Sequence, residues 1–161
     1  MQTLLREIAN KAKREKKHRF QNLYTMLNEL NLYDSWKYLN KSASCGIDRV
    51  SAKQYEANLE GNVKDLVSRL KRKGYRAKLI KRKYIPKSNG KLRPLGIPVT
   101  EDKLLQTAVA RILNAVYEQD FISDSYGYRE GKDAKTAIKE LHYQLQYGWF
   151  GYVVEADIIP L

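Results

Sequence analysis

The chain has 161 residues, 43% of them apolar, which suffices for one domain with a modest core. Its 30 Lys and Arg against 18 Asp and Glu give a formal charge of +12, so the expected partner is a polyanion, nucleic acid first and an anionic membrane surface second. One cysteine excludes an internal disulfide and a cysteine zinc site, the histidines His18 and His142 lie far apart, and no apolar run approaches the ~20 residues that span a bilayer. The expectation is a cytoplasmic setting with no membrane partner, since residues 11–19 are charged where a secretory leader would be apolar.

Taken in chain order, residues 1–17 read as a helix with a weak apolar stripe of Leu4, Leu5, Ile8 and Ala12. Lys11, Lys13, Arg14, Lys16, Lys17 and Arg19 put six cations into nine residues. Two readings stand side by side: the cations complement a helix dipole, or Lys13, Arg14, Lys16 and Lys17 contact an RNA backbone. Residues 20–41 read as one or two short helices, with Leu23, Leu27 and Leu30 on one face and a break expected at Asn31. Residues 42–50 form a loop in which Gly46 permits close backbone approach or positive φ. Cys45 has no base beside it and is read as a bystander. Residues 51–73 read as one helix, capped by Ser51, weakened at Gly61 and stopped by Gly74, with Tyr55, Leu59, Val63, Leu66, Val67 and Leu70 inward.

Residues 71–93 then hold eleven cations and no acid in twenty-three positions. Lys71, Arg72, Lys73, Arg76, Lys81, Arg82 and Lys83 are candidate nucleic-acid contacts, with Tyr75 and Tyr84 interleaved for stacking or cation–π contact. Residues 78–85 and 92–97 read as two strands joined through Ser88-Asn89-Gly90-Lys91. Asn-Gly predicts a type I′ turn, because both residues tolerate positive φ. Pro86, Pro94 and Pro98 cannot donate to a ladder, so the ribbon is short and exposed. Lys87, Lys91 and Arg93 around its tip suit phosphate. A further helix is predicted over 100–120, capped by Thr100 and with Glu101 and Asp102 at its positive end. Its core face includes Leu104, Leu105, Ala108, Val109, Ile112, Leu113, Val116 and Tyr117, while Arg111 lies off that face and is open to a nucleic-acid contact. After a loop over 121–132, Asp133 caps a helix over 134–147 with Ala134, Ala137, Ile138, Leu141 and Leu145 inward. His142 is read as structural, Gly148 ends the helix, and a strand is predicted over 150–158.

The run Tyr84-Ile85-Pro86-Lys87-Ser88-Asn89-Gly90-Lys91-Leu92-Arg93-Pro94-Leu95-Gly96-Ile97-Pro98 resembles the first shared block of group II intron-encoded reverse transcriptases. The resemblance continues through residues 99–121, through Ser125-Tyr126-Gly127-Tyr128-Arg129-Glu130-Gly131-Lys132, and through Val153-Val154-Glu155-Ala156-Asp157-Ile158. Upstream, Gly46-Ile47-Asp48-Arg49-Val50 and Tyr55-Glu56-Ala57-Asn58-Leu59 are similar to the family's segment before the fingers. The resemblance covers most of the chain, from about residue 44 to 158, and stops at Ile159-Pro160-Leu161.

That resemblance implies an α+β, mostly helical fingers subdomain of a right-hand polymerase, with a β-hairpin and the first strand of the palm sheet. It divides the chain into an N-terminal helical extension (1–43), fingers (44–149) and a truncated start of the palm (150–161). It implies that Asp157 is a metal carboxylate, that Lys87 and Arg93 hold the triphosphate of the incoming dNTP, and that Ile97 packs near the templating base. Arg129 is implied as a nucleic-acid contact, weakened because Glu130 stands where the family has proline and Tyr128 is the aromatic. Partners implied are RNA, an RNA/DNA duplex and dNTP, with Mg²⁺ the cofactor of the full-length parent, and a homodimer, as the family also forms dimers. Two-metal nucleotidyl transfer needs several carboxylates. The family's Tyr-Ala-Asp-Asp turn is absent, so the expectation is an N-terminal fragment that binds no metal stably and is inactive alone. The alternative is a stand-alone, non-catalytic RNA-binding module.

Overall fold

The structure is a computed structural model that describes residues 2–87 and 90–157. Its helices are α1 (Gln2–Arg14), α2 (Glu29–Trp36), α3 (Ala52–Glu56), α4 (Leu59–Lys71), α5 (Thr100–Tyr117) and α6 (Ala134–Tyr147), with a 3₁₀ turn at Leu23–Met26. Strands β1 (Lys81–Pro86) and β2 (Leu92–Ile97) form an antiparallel ribbon, so the class is α+β. The chain divides into two units, Met1–Gln119 and Asp120–Leu161.

The first unit is built around α5, against which α1, α2 and α3 pack. Leu104, Ala108 and Ile112 recur every four residues along one face of α5 and are buried with Leu32 and Trp36 of α2, Tyr55 of α3, and Val63, Leu66, Val67 and Leu70 of α4. Trp36 stacks on Tyr55 with ring centroids 5.5 Å apart. Burying each such side chain contributes roughly 1.5–3 kcal/mol, so this cluster is what orders the unit. Leu113 and Tyr117 were expected on the same face, but both are exposed, because the buried stripe is narrower than the apolar pattern.

Several boundaries differ from expectation for identifiable reasons. The break predicted at Asn31 falls at Asn28, whose side chain accepts from the Asn31 N–H at 3.0 Å and caps α2. Asn31 itself is buried, donating through Nδ2 to Met26 O (2.9 Å) and accepting from Ser35 Oγ (3.1 Å). The single helix over 51–73 is two. Ser51 and Gln54 form a capping box at the start of α3, and the chain breaks at Ala57-Asn58. Gly61 makes room for the displaced Asn58, since a Cβ there would lie 2.7 Å from Asn58 Oδ1. At the other end, Lys73 N–H donates to Leu70 O and Gly74 N–H to Arg69 O, a Schellman closure in which Lys73 (φ 56°), not Gly74, takes the left-handed position. Thr100 does not cap α5: Val99 is the N-cap, and the Thr100 hydroxyl donates to Val50 O at 2.7 Å.

In the second unit, Asp133 caps α6 as expected, accepting from Thr136 N–H at 2.6 Å, and Gly148 closes it. Its predicted inward stripe is not buried; Ile138 is 67% exposed and Leu141 and Leu145 are also open. The strand predicted over 150–158 is not formed: residues 151–157 have no regular structure, and Ile158 lies outside the described residues. A strand is defined by a ladder, and β1 and β2 pair only with each other among the described residues.

Candidate nucleic-acid interface

The ribbon is set by its register: Lys81 pairs with Ile97, Lys83 with Leu95, Ile85 with Arg93 and Pro86 with Leu92. Beyond the strands, Lys87 N–H donates to Lys91 O at 2.7 Å and Gly90 N–H to Lys87 O at 3.0 Å. Three residues therefore separate Lys87 from Lys91, where a type I′ turn on Asn89-Gly90 would pair Ser88 with Lys91. Ser88 and Asn89 lie outside the described residues; Gly90, at φ +77°, carries the positive φ that the last position of a three-residue hairpin loop requires.

Register matters because paired residues share a face and successive residues alternate. Carried through Lys87 and Lys91, the alternation puts Lys81, Lys83, Lys87, Lys91 and Arg93 on one face with Ile85, Leu95 and Ile97. The opposite face carries Arg82, Tyr84, Pro86, Leu92, Pro94 and Gly96. A two-residue turn would shift the pairing by one and put Lys87 and Arg93 on opposite faces. Here they lie on the same one. Ile97, expected beside a templating base, is only 8% exposed, so the cationic face turns toward the body of the unit at its root.

The ribbon is fixed to the helical body by groups that a linear reading undervalued. Asp102, in the first turn of α5, is 3% exposed and accepts from the Tyr75 hydroxyl and from Lys78 N–H at 3.1 Å. Burial, with the Asp102 carboxylate beside it, pushes the Tyr75 hydroxyl well above its ordinary range and keeps it a donor. The neighbouring Glu101 pairs with Arg69 at 2.7 Å, and Arg69 lies over the Tyr75 ring. The sequence signal was two acids at a helix start; it gave the dipole role but not the partners. The loop at residues 44–50 closes on the same junction. A Cβ at Gly46 would lie 2.6 Å from Val99 Cα, Lys78 pairs with Asp48 at 3.2 Å, and Lys103 Nζ donates to Ser44 O at 2.5 Å.

The remaining predicted cations divide. Lys71, Arg72, Lys73, Arg76, Lys81, Arg82, Lys83, Lys87 and Arg93 are exposed. At the end of α1, Lys13 and Lys17 are exposed, Arg14 pairs with Glu15 at 3.3 Å, and Lys16 donates to Gln119 O. Arg129 braces its own loop, donating to Ile122 O (2.8 Å) and Ser125 O (2.7 Å) and lying over Phe121. Arg111, left open to nucleic acid by the sequence, is structural: it donates to Asp34 Oδ2 (2.7 Å) and Ser35 Oγ (3.0 Å) and covers Tyr38.

The Arg111 hydrogen bond holds the Asp34 carboxyl below the usual range. A carboxyl depressed in the folded state adds stability above its unfolded pKa of about 3.9, and that stability is lost as pH falls through the folded value. Asp34→Asn is therefore expected to lower the thermal midpoint at pH 6 and to narrow its deficit from the parent chain below about pH 4. A deficit that stays constant down to pH 2.5 would show that the pair does not titrate with folding.

Asp157 lies in the second unit, exposed, two residues after Glu155. Among the described residues no three His, Cys, Asp or Glu side chains converge on a metal-sized site. Asp157 by itself does not fit a two-metal centre.

No protein-family model matches the chain. It is 38% identical over 123 residues to the group II intron-encoded protein LtrA of Lactococcus lactis subsp. cremoris, covering 75% of this chain and 20% of that protein. It is also 38% identical over 100 residues to protein YkfC of Escherichia coli, covering 62% of this chain and 26% of that protein. An intron 1 protein of Saccharomyces cerevisiae is 30% identical over 74 residues, 46% of this chain and 9% of that protein. The chain thus spans between a fifth and about a quarter of the first two relatives it matches. At 38% identity over 75% of its length, the chain belongs to the group II intron-encoded reverse transcriptase/maturase family.

Proposed function

We propose that this chain is the fingers portion, with the start of the palm, of an RNA-directed DNA polymerase that also assists intron splicing. It binds the RNA template and the triphosphate of the incoming dNTP. The observation that supports this reading is that Lys87 and Arg93 lie on one face of the ribbon with Lys81, Lys83 and Lys91. A triphosphate spread along that face meets a forked guanidinium and point-charge ammonium groups, the pairing that phosphate oxygens favour. The buried Asp102 and the Gly46–Val99 contact hold the ribbon in place beforehand, so less ordering is left for binding to supply.

Asp157 is the one carboxylate that the family resemblance assigns to a Mg²⁺ site, and a two-metal centre needs several. The group's chemistry is to activate the attacking oxygen and clamp the triphosphate. This polypeptide on its own is accordingly expected to give no primer extension with Mg²⁺, and dose-dependent DNA synthesis by the pure chain would overturn that. Triphosphate capture is tested separately, by titrating a dNTP without metal and following amide shifts in β1 and β2. Shifts are expected in the parent chain and not in the Lys87→Gln, Arg93→Gln double variant. Identical shifts in both would remove these two residues from the site.

A further inference from the structure

The face of the ribbon opposite the cations has a composition that phosphate binding does not explain. Tyr84 is 55% exposed and Leu92 61% exposed, and Pro86 and Pro94 flank them. Gly96 continues this face at the root, where the Ile80 side chain lies across it; a Cβ on Gly96 would come within 2.8 Å of Ile80 Cγ2. The absence of a side chain at residue 96 thus lets Ile80, itself 60% exposed, extend the apolar surface. The one charge here is cationic, Arg82, two residues before Tyr84 on the same face, and the segment leading into β1 adds exposed Lys71, Arg72, Lys73 and Arg76. An aromatic ring and proline rings, rimmed by cations with no acid in residues 71–93, suit a ligand with flat apolar faces on an anionic backbone.

We propose that this second face is a stacking platform for unpaired nucleobases of a single-stranded RNA, with Tyr84 as its centre and Arg82 as its phosphate or cation–π partner. The inference rests on the RNA-binding reading above and adds to it a preference. The cationic face is indifferent to strandedness, whereas the Tyr84 face engages only bases that are not already stacked in a duplex. A duplex offers phosphates to both faces and bases to neither. A protein or another part of a longer chain covering this face is the competing occupant. The uniformly cationic rim argues for RNA, and a test on RNA alone separates the two.

The experiment uses the whole 161-residue chain and an RNA oligonucleotide of about ten nucleotides carrying 2-aminopurine, free or annealed to its complement. Stacking on Tyr84 is expected to quench 2-aminopurine in the single strand. Tyr84→Leu keeps apolar bulk but removes the π-face, and is expected to abolish the quench. It should weaken single-strand binding roughly fivefold or more, with less than a twofold change for duplex. Tyr84→Phe is expected to restore both the quench and the affinity. Unaltered single-strand binding by Tyr84→Leu, or an equal loss on duplex, overturns the platform. Lys83→Gln with Lys87→Gln keeps the two readings apart: these changes should weaken single strand and duplex alike. If they do not, it is the phosphate reading that falls, while a lost quench in Tyr84→Leu would still stand for the platform.

Discussion

RNA affinity of this chain is expected to fall about 100-fold between 50 and 200 mM monovalent salt. The estimate follows from the ribbon. Five cations, Lys81, Lys83, Lys87, Lys91 and Arg93, share one face, and each phosphate contact to a single strand contributes a slope of about −0.7 in log affinity against log salt. Five contacts give a slope near −3.5, and a fourfold rise in salt then costs roughly two decades. Lys83→Gln with Lys87→Gln is expected to flatten the slope by about 1.4, which a filter-retention titration at several salt concentrations measures directly. Binding that is insensitive to salt would mean that phosphates are not what the chain grips. Arg111→Met is a useful contrast, since its guanidinium is committed to Asp34 and Ser35 and its loss should leave the slope unaltered.

The second large effect is expected at Asp102. Replacing it with Leu leaves the Tyr75 hydroxyl and Lys78 N–H without their acceptor inside the body of the first unit. It also removes a negative charge from the positive end of α5. Stranding two part-buried donors costs on the order of 2–4 kcal/mol, a large share of the roughly 5–15 kcal/mol that a domain has in total. Asp102→Asn is milder, about 1–3 kcal/mol, because the amide keeps one acceptor but turns an NH₂ toward a donor. Urea unfolding followed by Trp36 fluorescence reads the loss, and hydrogen exchange reads where it begins. In the Asn variant, the amides of residues 75–80 are expected to exchange faster than those of α5. Uniform exchange across both segments would mean that Asp102 supports the fold but does not hold the ribbon.

The helices were largely legible because their stop and start signals are local. Ser51 with Gln54, Asp133 with Thr136, and the regular apolar spacing of α5 are all complete within one turn or one face. Where the reading failed, the deciding partner was distant. Thr100 looks like a cap in isolation, but its hydroxyl is taken by Val50, fifty residues away. Asn31 is the local exception: it looks like a break, but Met26 O and Ser35 Oγ, five and four residues away, satisfy its amide inside the core. Arg111 looks like a spare cation until Asp34 is brought beside it. The strand at 150–158 was expected from side-chain alternation and from the family resemblance, and neither supplies a neighbour to pair with. Of the interface, the cationic content was plain in the sequence. Its separation into two faces was not, because that depends on pairing register, which a local turn motif assigned differently.

The short connection at the tip of the ribbon therefore works as a phase setting. Inserting or deleting a single codon there would leave the helices of the body and the total charge untouched; a slipped register would cost the burial of Ile97 at the root, a modest loss in a melting curve. Yet Lys87 and Arg93 would part to opposite sides, and each surface would become a mixture of ammonium groups and rings, suited to neither backbone nor base. Loop lengthening by two, which returns the phase, should be tolerated where lengthening by one is not.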